Sequence, residues 1–291
     1  PASLTAIGEG AMMGAAVKSL EIPASVRSIG DNAFCGCNAL TSVTVPATVK
    51  EVGRGVFSSC HNLKTVSYGL PDIPASAFAG CSSLVSVETP SGLRSIGREA
   101  FRQCGSLACF ASGTELVTVD DFASSHSGLE EVALSACSDL SHIGKQAFGH
   151  CDRLTAVSLP DGVTTIGAGA FFDDTALESI NFPASTRTVA MTDAPHLLGY
   201  EVDSIGAFAF AGMDKVSEVI LPPRLAYIGD NAFEGWLSLK TIHAEEIEGV
   251  PSLGNDVWAG VNAPGVFLYV PDNLTGEFMA APQWKEFSIA Q

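Results

Sequence analysis

The chain repeats one pattern of hydrophobic and polar positions from one end to the other. In residues 40–60 a leucine is followed by two alternating valines, a proline, two more spaced valines, a glycine, a phenylalanine and a cysteine, and residues 154–171 and 216–233 follow nearly the same order. A fixed period of this length, held over most of a chain, predicts a solenoid or a propeller. The hydrophobic residue that usually precedes the glycine recurs about every 23 residues, at Ile7, Ile29, Val52, Ile73, Ile96, Val119, Ile143, Ile166, Val189, Ile205, Ile228 and Leu253.

Each repeat unit is predicted to contain one short strand. Val43 and Val45 alternate with Ser42 and Thr44, so the valines share one face and the hydroxyl side chains share the other. Pro46 ends the strand, because proline has no N–H to donate to a ladder. The hydrophobic residue and glycine that follow are predicted to turn the chain, and the Ala-Phe-x-x-Cys segment is predicted to form a single helical or 3₁₀ turn that packs inward.

One such unit cannot bury its apolar face alone, whereas stacked units form a continuous core with parallel strands ~4.8 Å apart. The predicted fold is therefore a β-rich (α/β) solenoid of ~23-residue coils, with a parallel β-sheet, short helical or 3₁₀ turns and a C-terminal cap. We assign residues 1–262 to about twelve coils, irregular near 105–140 and 190–201, and residues 263–291 to the cap. The cap would cover the apolar end of the last coil with an amphipathic stretch that contains Phe278, Met279, Trp284 and Phe287.

The repeated letters resemble a known family. The unit resembles the leucine-rich repeat superfamily, and within it the BspA-like branch found in surface proteins of gut and oral bacteria. That resemblance implies a secreted or cell-surface protein that mediates protein–protein interaction or adhesion to host matrix or bacterial surface partners. The residues that carry it are Ile22-Pro23, Val26, Ile29-Gly30, Ala33-Phe34, Cys37 and Leu40.

Charge and hydropathy exclude two classes of partner. Asp and Glu outnumber Lys and Arg by 32 to 15, which gives a net charge of −17. A field of that sign repels polyanions, so we expect no nucleic acid partner and no binding to an anionic membrane. The chain has no apolar run long enough to span a bilayer. It starts on Pro1 in the middle of a repeat, so we expect that a signal peptide has been removed and that upstream repeats lie outside this sequence.

The cysteines follow the repeat. Five of them stand three residues after the repeat phenylalanine, and we interpret them as buried thiols that act as small hydrophobes. Stacked side chains point in parallel, which keeps their Cβ atoms beyond the ~3.8 Å of a disulfide. The five are Cys37, Cys60, Cys81, Cys104 and Cys151. Cys35, Cys109 and Cys137 lie off this column, and their reactivity or pairing stays open.

Candidate chemistry is sparse. His126 and His150 occupy the same offset in neighbouring repeats, and Asp173 follows one repeat later, so stacking would bring the three together as a weak candidate metal site. The sequence contains no zinc-protease, nucleophile-elbow or phosphate-loop motif. We therefore expect neither enzymatic activity nor a cofactor, and an enzyme or metal site near the two histidines is a remote alternative.

The outward strand positions are the candidate binding face. They are small, hydroxyl-rich and mildly acidic, which suits an extended protein partner and, with few aromatic side chains to stack on, suits a glycan less well. Serine and threonine also simply suit solvated strands, so both interpretations stay open. The face comprises Ser42, Thr44, Thr65, Ser67, Ser86, Glu88, Glu131, Ser158, Ser179 and Asn181.

A second candidate site lies in the irregular loop of residues 190–201, at Asp193, His196 and Tyr200, which is either a functional insertion or a drifted repeat. The leading functional hypothesis is adhesion through the strand positions. The alternative is a structural stalk that presents another domain.

Overall fold

A computed structural model describes residues 3–109, 113–160, 162–163, 165–177 and 204–290, together with the backbone of residues 179–181. These residues form a stack of coils whose short strands run parallel. In chain order the strands are β1 (Ala6–Ile7), β2 (Leu20–Glu21), β3 (Ser28–Ile29), β4 (Ser42–Val45), β5 (Glu51–Val52), β6 (Thr65–Tyr68), β7 (Asp72–Ile73), β8 (Ser86–Glu88), β9 (Ser95–Ile96), β10 (Thr118–Val119), β11 (Glu131–Ala133), β12 (His142–Ile143), β13 (Ala156–Ser158), β14 (Thr165–Ile166), β15 (Ser179–Asn181), β16 (Ser204–Ile205), β17 (Glu218–Ile220), β18 (Tyr227–Ile228), β19 (Thr241–His243), β20 (Ser252–Leu253), β21 (Phe267–Tyr269) and β22 (Ser288–Ala290).

The strands form two ladders on different sides of the coils. The isoleucine ladder consists of a three-stranded sheet β1-β3-β5 and an eight-stranded sheet from β7 to β20, whose strands all have two residues. The strand face is the outward side of the other strands, which form three sheets: a first segment β2-β4-β6-β8, a middle segment β11-β13-β15 and a last segment β17-β19-β21-β22. The predicted parallel solenoid is therefore confirmed, but the hydrophobic residue before the glycine lies in a second ladder and not in a simple turn.

The isoleucine ladder links coils that lie far apart in the sequence. Ile166 pairs in register with Ile205, 39 positions later. Within the described residues, the three-stranded and eight-stranded sheets together hold eleven strands. Val189 of the repeat spacing lies outside the described residues, as do Asp193, His196 and Tyr200 of the candidate loop site.

The segments after the isoleucine ladder are turns with two left-handed residues per coil, such as Asn32 (φ 54°) and Gly36 (φ 69°). Their N–H groups alternate between two kinds of acceptor: Cys35 donates to Asn32 O at 3.0 Å within the turn, and Phe34 donates to Val56 O at 2.9 Å in the next coil. The described helical segments lie in the C-terminal part, as 3₁₀ turns at Ala263–Gly265, Asp272–Leu274 and Trp284–Glu286 and as helix α1 at Thr275–Ala280.

Stacked phenylalanines fill the core. Phe34, Phe57 and Phe78 are fully buried, and their rings stack at centroid distances of 5.3 and 5.8 Å with interplanar angles of 8° and 5°. The buried Ser124 takes the phenylalanine position of one coil, and beyond it the stacking resumes, with Phe171 at 5.7 Å from Phe210. The stacked rings on both sides of Ser124 belong to one buried core, which coils of different length share.

The cysteine column is buried as predicted, and each thiol has a specific acceptor. The Sγ atoms of Cys60 and Cys81 donate to the carbonyl oxygens of Phe34 and Phe57, at 3.2 and 3.1 Å. Burial raises the pKa of Cys60 to about 12, so its thiol stays protonated and unreactive at neutral pH. Of the three off-column cysteines, Cys109 is exposed and Cys35 half-buried, whereas Cys137 is buried and donates to Gly113 O at 3.2 Å.

The C-terminal residues cover the last coil. Phe278 of α1 and Trp284 are fully buried, and Trp284 Nε1 donates to Pro251 O at 3.0 Å. Gln283 adds two hydrogen bonds to that coil, with Val257 N as donor at 2.9 Å and Gly254 O as acceptor at 2.7 Å. These bonds satisfy backbone groups that a further coil would otherwise pair.

Candidate interaction surface

The first segment of the strand face has the predicted orientation. Its burial alternates along each strand, so Val43 and Val45 are buried while Ser42 and Thr44 are exposed. In-register pairing aligns the outward side chains in two rows across neighbouring coils. One row is Ser42, Thr65 and Ser86, and the other is Thr44, Ser67 and Glu88; all are exposed except Ser67, which is half-buried.

The middle segment is separated from the first by a coil without a described strand. Leu107–Cys109 form no strand, and residues 110–112 lie outside the described part of the chain. Beyond this interruption Glu131 is exposed on β11 and Ser158 is half-buried on β13. The backbones of Ser179 and Asn181 pair with β13 in β15, so the predicted register extends to them. Within the described residues, no strand lies between β8 and β11, although Glu130 N donates to Ala108 O at 2.9 Å and the isoleucine ladder continues there through β9, β10 and β12.

The last segment carries aromatic side chains. Thr241 pairs with Phe267 and His243 pairs with Tyr269, so both outward rows continue onto β21. Phe267 is 55% exposed. The rings of His243 and Tyr269 stack at a centroid distance of 5.3 Å and an interplanar angle of 7°.

His243 joins two carboxylates on this segment. Its Nδ1 lies 2.7 Å from Glu245 Oε1, and its Nε2 lies 2.6 Å from Glu218 Oε1. A carboxylate oxygen only accepts, so this arrangement favours the imidazolium form, in which both ring nitrogens carry a proton. The hydrogen bond with Glu245 raises the pKa of His243, and Glu218 adds to the effect against the opposing cost of burial.

Stacking brings together the three candidate metal ligands, as their spacing predicted. The rings of His126 and His150 stack at 4.4 Å with an interplanar angle of 5°, and His150 Nδ1 lies 3.3 Å from Asp173 Oδ2. Parallel rings keep their in-plane nitrogen lone pairs in separate planes, which does not suit a tetrahedral site. Burial, followed by the neighbouring His150, lowers the pKa of His126. Among the residues described, no group of three His, Cys, Asp or Glu side chains is arranged to hold a metal ion.

The aromatic last segment is the feature that sequence reasoning missed. The candidate binding face predicted from the sequence ends at Asn181 and residues 263–291 are predicted to be a cap, whereas β21 lies in one sheet with β17 and β19. A signal was present, because Leu268-Tyr269-Val270-Pro271 repeats the alternating strand and terminal proline of the earlier units. Extending the frame by one unit would have placed Phe267 and Tyr269 in the rows.

The two ladders and the stacked core define a parallel β-solenoid of the leucine-rich repeat class. The sequence model described as the BspA type leucine-rich repeat region, in six copies, matches residues 5–121, 71–192 and 197–262. The chain belongs to this BspA-type leucine-rich repeat family. None of the curated proteins compared with the chain matches it.

Solved structures show the same fold. A leucine-rich repeat protein from Bacteroides ovatus superposes with a TM-score of 0.67 and 23% identity, over 100% of this chain and 76% of that one. The pneumococcal vaccine antigen PcpA superposes with a TM-score of 0.55 and 18% identity, over 99% of this chain and 77% of that one. In the described part of this chain, no helix has the length and apolar character needed to cross a bilayer.

Proposed function

We propose that this protein is a secreted or cell-surface scaffold that binds a protein on a host or bacterial surface through its strand face. The observation that carries the proposal is the alignment of outward side chains from successive coils into two rows. Rows of this kind present a long, regular surface, and superhelical repeat proteins bind partners on such surfaces. Membership of the BspA-type family supports protein interaction as the general role.

Surface location rests on the family resemblance. PcpA is a pneumococcal vaccine antigen, and its likeness to this chain is one of fold. The net charge of −17 favours partners with basic or neutral surfaces over polyanions.

We further infer that the role is non-catalytic. The groups of the described chain with strongly perturbed pKa values are core groups: the column thiols, Tyr68, and Asp174, whose pKa burial raises well above its usual range. Asp174 is fully buried and its Oδ1 accepts a hydrogen bond from Cys151 N at 2.7 Å. A catalytic acid or nucleophile must contact its substrate, which these positions do not permit.

The test uses three arginine substitutions, one in each segment of the strand face. The variant Thr65→Arg/Ser158→Arg/Thr241→Arg should lose capture of host-matrix and bacterial surface proteins by the immobilised full chain. The control Ser82→Arg/Ser138→Arg/Thr175→Arg adds the same charge at exposed positions outside the strand face and should retain capture. Equal capture by both variants would contradict binding through the strand face. No capture even by the wild-type chain would favour the stalk.

A further inference from the structure

The last segment of the strand face combines carboxylates and aromatic rings. We define the acidic aromatic patch as Glu218, His243, Glu245, Phe267 and Tyr269, which lie on or directly after β17, β19 and β21. The first segment, built on the same kind of sheet, presents serine, threonine and two glutamates, Glu21 and Glu88, at the corresponding outward positions, with no aromatic side chain among them. The difference lies in side chains that face solvent, so core packing does not account for it.

The patch contains two carboxylates but only one internal cationic group, the His243 ring. Glu218 and Glu245 share one imidazolium, which leaves the three groups with one net negative charge. Each carboxylate uses its Oε1 atom for His243, and the two side chains remain 31% and 47% exposed. An incoming cation can therefore reach them from solvent.

The aromatic faces of the patch have only small neighbours on one side. One face of the Tyr269 ring stacks on His243. On the opposite side, Tyr269 pairs with Ala290 of β22. Phe267 lies between Thr241 and Ser288 in the other row. A cation attracted by the carboxylates can thus approach a ring face, where the ring quadrupole adds to the attraction.

We propose that the acidic aromatic patch docks an extended segment of a partner protein through its lysine or arginine side chains. Same-face residues of a strand lie ~6.6 Å apart, which matches the repeat of same-side side chains in an extended peptide that runs along the strand. The inference rests on the proposed function, because it names the chemistry of the partner at one end of the strand face.

The experiment measures fluorescence anisotropy of an unstructured peptide of alternating lysine and serine with the full chain at physiological ionic strength. Glu218→Gln and Phe267→Ser should each weaken binding about fivefold, the size of one exposed cation–π or charge contact. The matched controls are Glu88→Gln on the first segment and Tyr227→Ser, an exposed aromatic outside the strand face, and each should change binding less than about twofold. His243→Gln removes the internal competitor for the carboxylates and should strengthen binding.

Four results would overturn the inference. Equal weakening by Glu88→Gln and Glu218→Gln would assign binding to the overall negative charge. Tighter binding of a glutamate–serine peptide, or of a neutral oligosaccharide, would assign the patch to another class of ligand. Loss of binding in His243→Gln would make the imidazolium the docking group. If the lysine peptide fails while the three-arginine strand-face variant still loses partner capture, the proposed function survives and this inference does not.

Discussion

The first and last segments of the strand face share a backbone and differ in surface. Both are parallel sheets whose inward valines and isoleucines are buried. The first presents two rows of small hydroxyl side chains, whereas the last presents Phe267, Tyr269 and a histidine bound to two carboxylates. The fold thus constrains what faces inward and leaves the outward rows free to define the partner.

The cores behind the two segments fill the same repeat position with different side chains. Behind the first, the thiol of Cys60 donates to Phe34 O. Behind the last, Trp236 occupies the same slot and its Nε1 donates to Phe210 O at 2.7 Å. The position three residues after the phenylalanine therefore accepts side chains of very different volume, and in these two coils the side chain donates to the same carbonyl position.

The largest expected effect tests whether the two segments share one core. Phe57→Ala and Phe233→Ala each remove a fully buried ring from the column, and each should lower the free energy of unfolding by about 3–5 kcal/mol in urea titrations followed by circular dichroism. Thr44→Asp on the exposed surface is the control and should cost less than about 0.5 kcal/mol. A severe loss at only one of the two phenylalanines would show that the segments are separately supported.

A smaller effect concerns the buried acid between the middle and last segments. Asp174→Asn should raise the free energy of unfolding at pH 7 by on the order of 1–3 kcal/mol, because ionising a fully buried carboxyl is costly. The folded-state pKa of Asp174 is raised, so its contribution to stability is lost as pH rises from the usual value of about 3.9 toward the raised one. Melting temperatures between pH 4 and pH 8 should fall less steeply in the variant, and an unchanged slope would show that Asp174 ionises freely.

Substitution of the two tryptophans behind the last segment distinguishes the contribution of the indole hydrogen bond to stability from that of the ring volume. Trp236 Nε1 has an acceptor, whereas the buried Nε1 of Trp258 has no partner within the described chain. Trp236→Phe should therefore cost about 1 kcal/mol more than Trp258→Phe in urea denaturation. Similar costs for the two variants would mean that the indole donor contributes nothing in this slot.

The smallest effect concerns the histidine that distinguishes the last segment. Its folded-state pKa is raised, so the stability that His243 contributes is fully present below its usual pKa of about 6.5 and is lost as pH rises through the raised value. The loss should be about 0.5–1 kcal/mol, in the range of partly exposed ion pairs. His243→Gln should remove this part of the pH dependence, and a wild-type curve that overlays the variant would show that the imidazolium does not stabilise the fold.

Much of the fold could be predicted because each coil depends mainly on its neighbours. Once the period is known, Phe57 must stack on Phe34 and Cys60 must follow into the core, as the structure confirms. The second ladder could not be predicted, since a two-residue strand such as Glu51–Val52 is too short to show alternation. The pairing of Ile166 with Ile205 could not be predicted either, since 39 positions separate these two residues and the usual spacing is about 23.

The sequence by itself determined the period, the identity of the inward residues and the hydroxyl rows of the first segment, because these repeat locally and follow from alternation along single strands. Only the tertiary structure decided which residues of different coils lie next to each other. Phe267 becomes the neighbour of Thr241, 26 positions earlier, and His243 reaches Glu218 on one side and Tyr269 on the other through strand pairing alone. The acidic aromatic patch therefore exists only once the coils are stacked, since contacts between rows depend on register across strands and not on spacing within one.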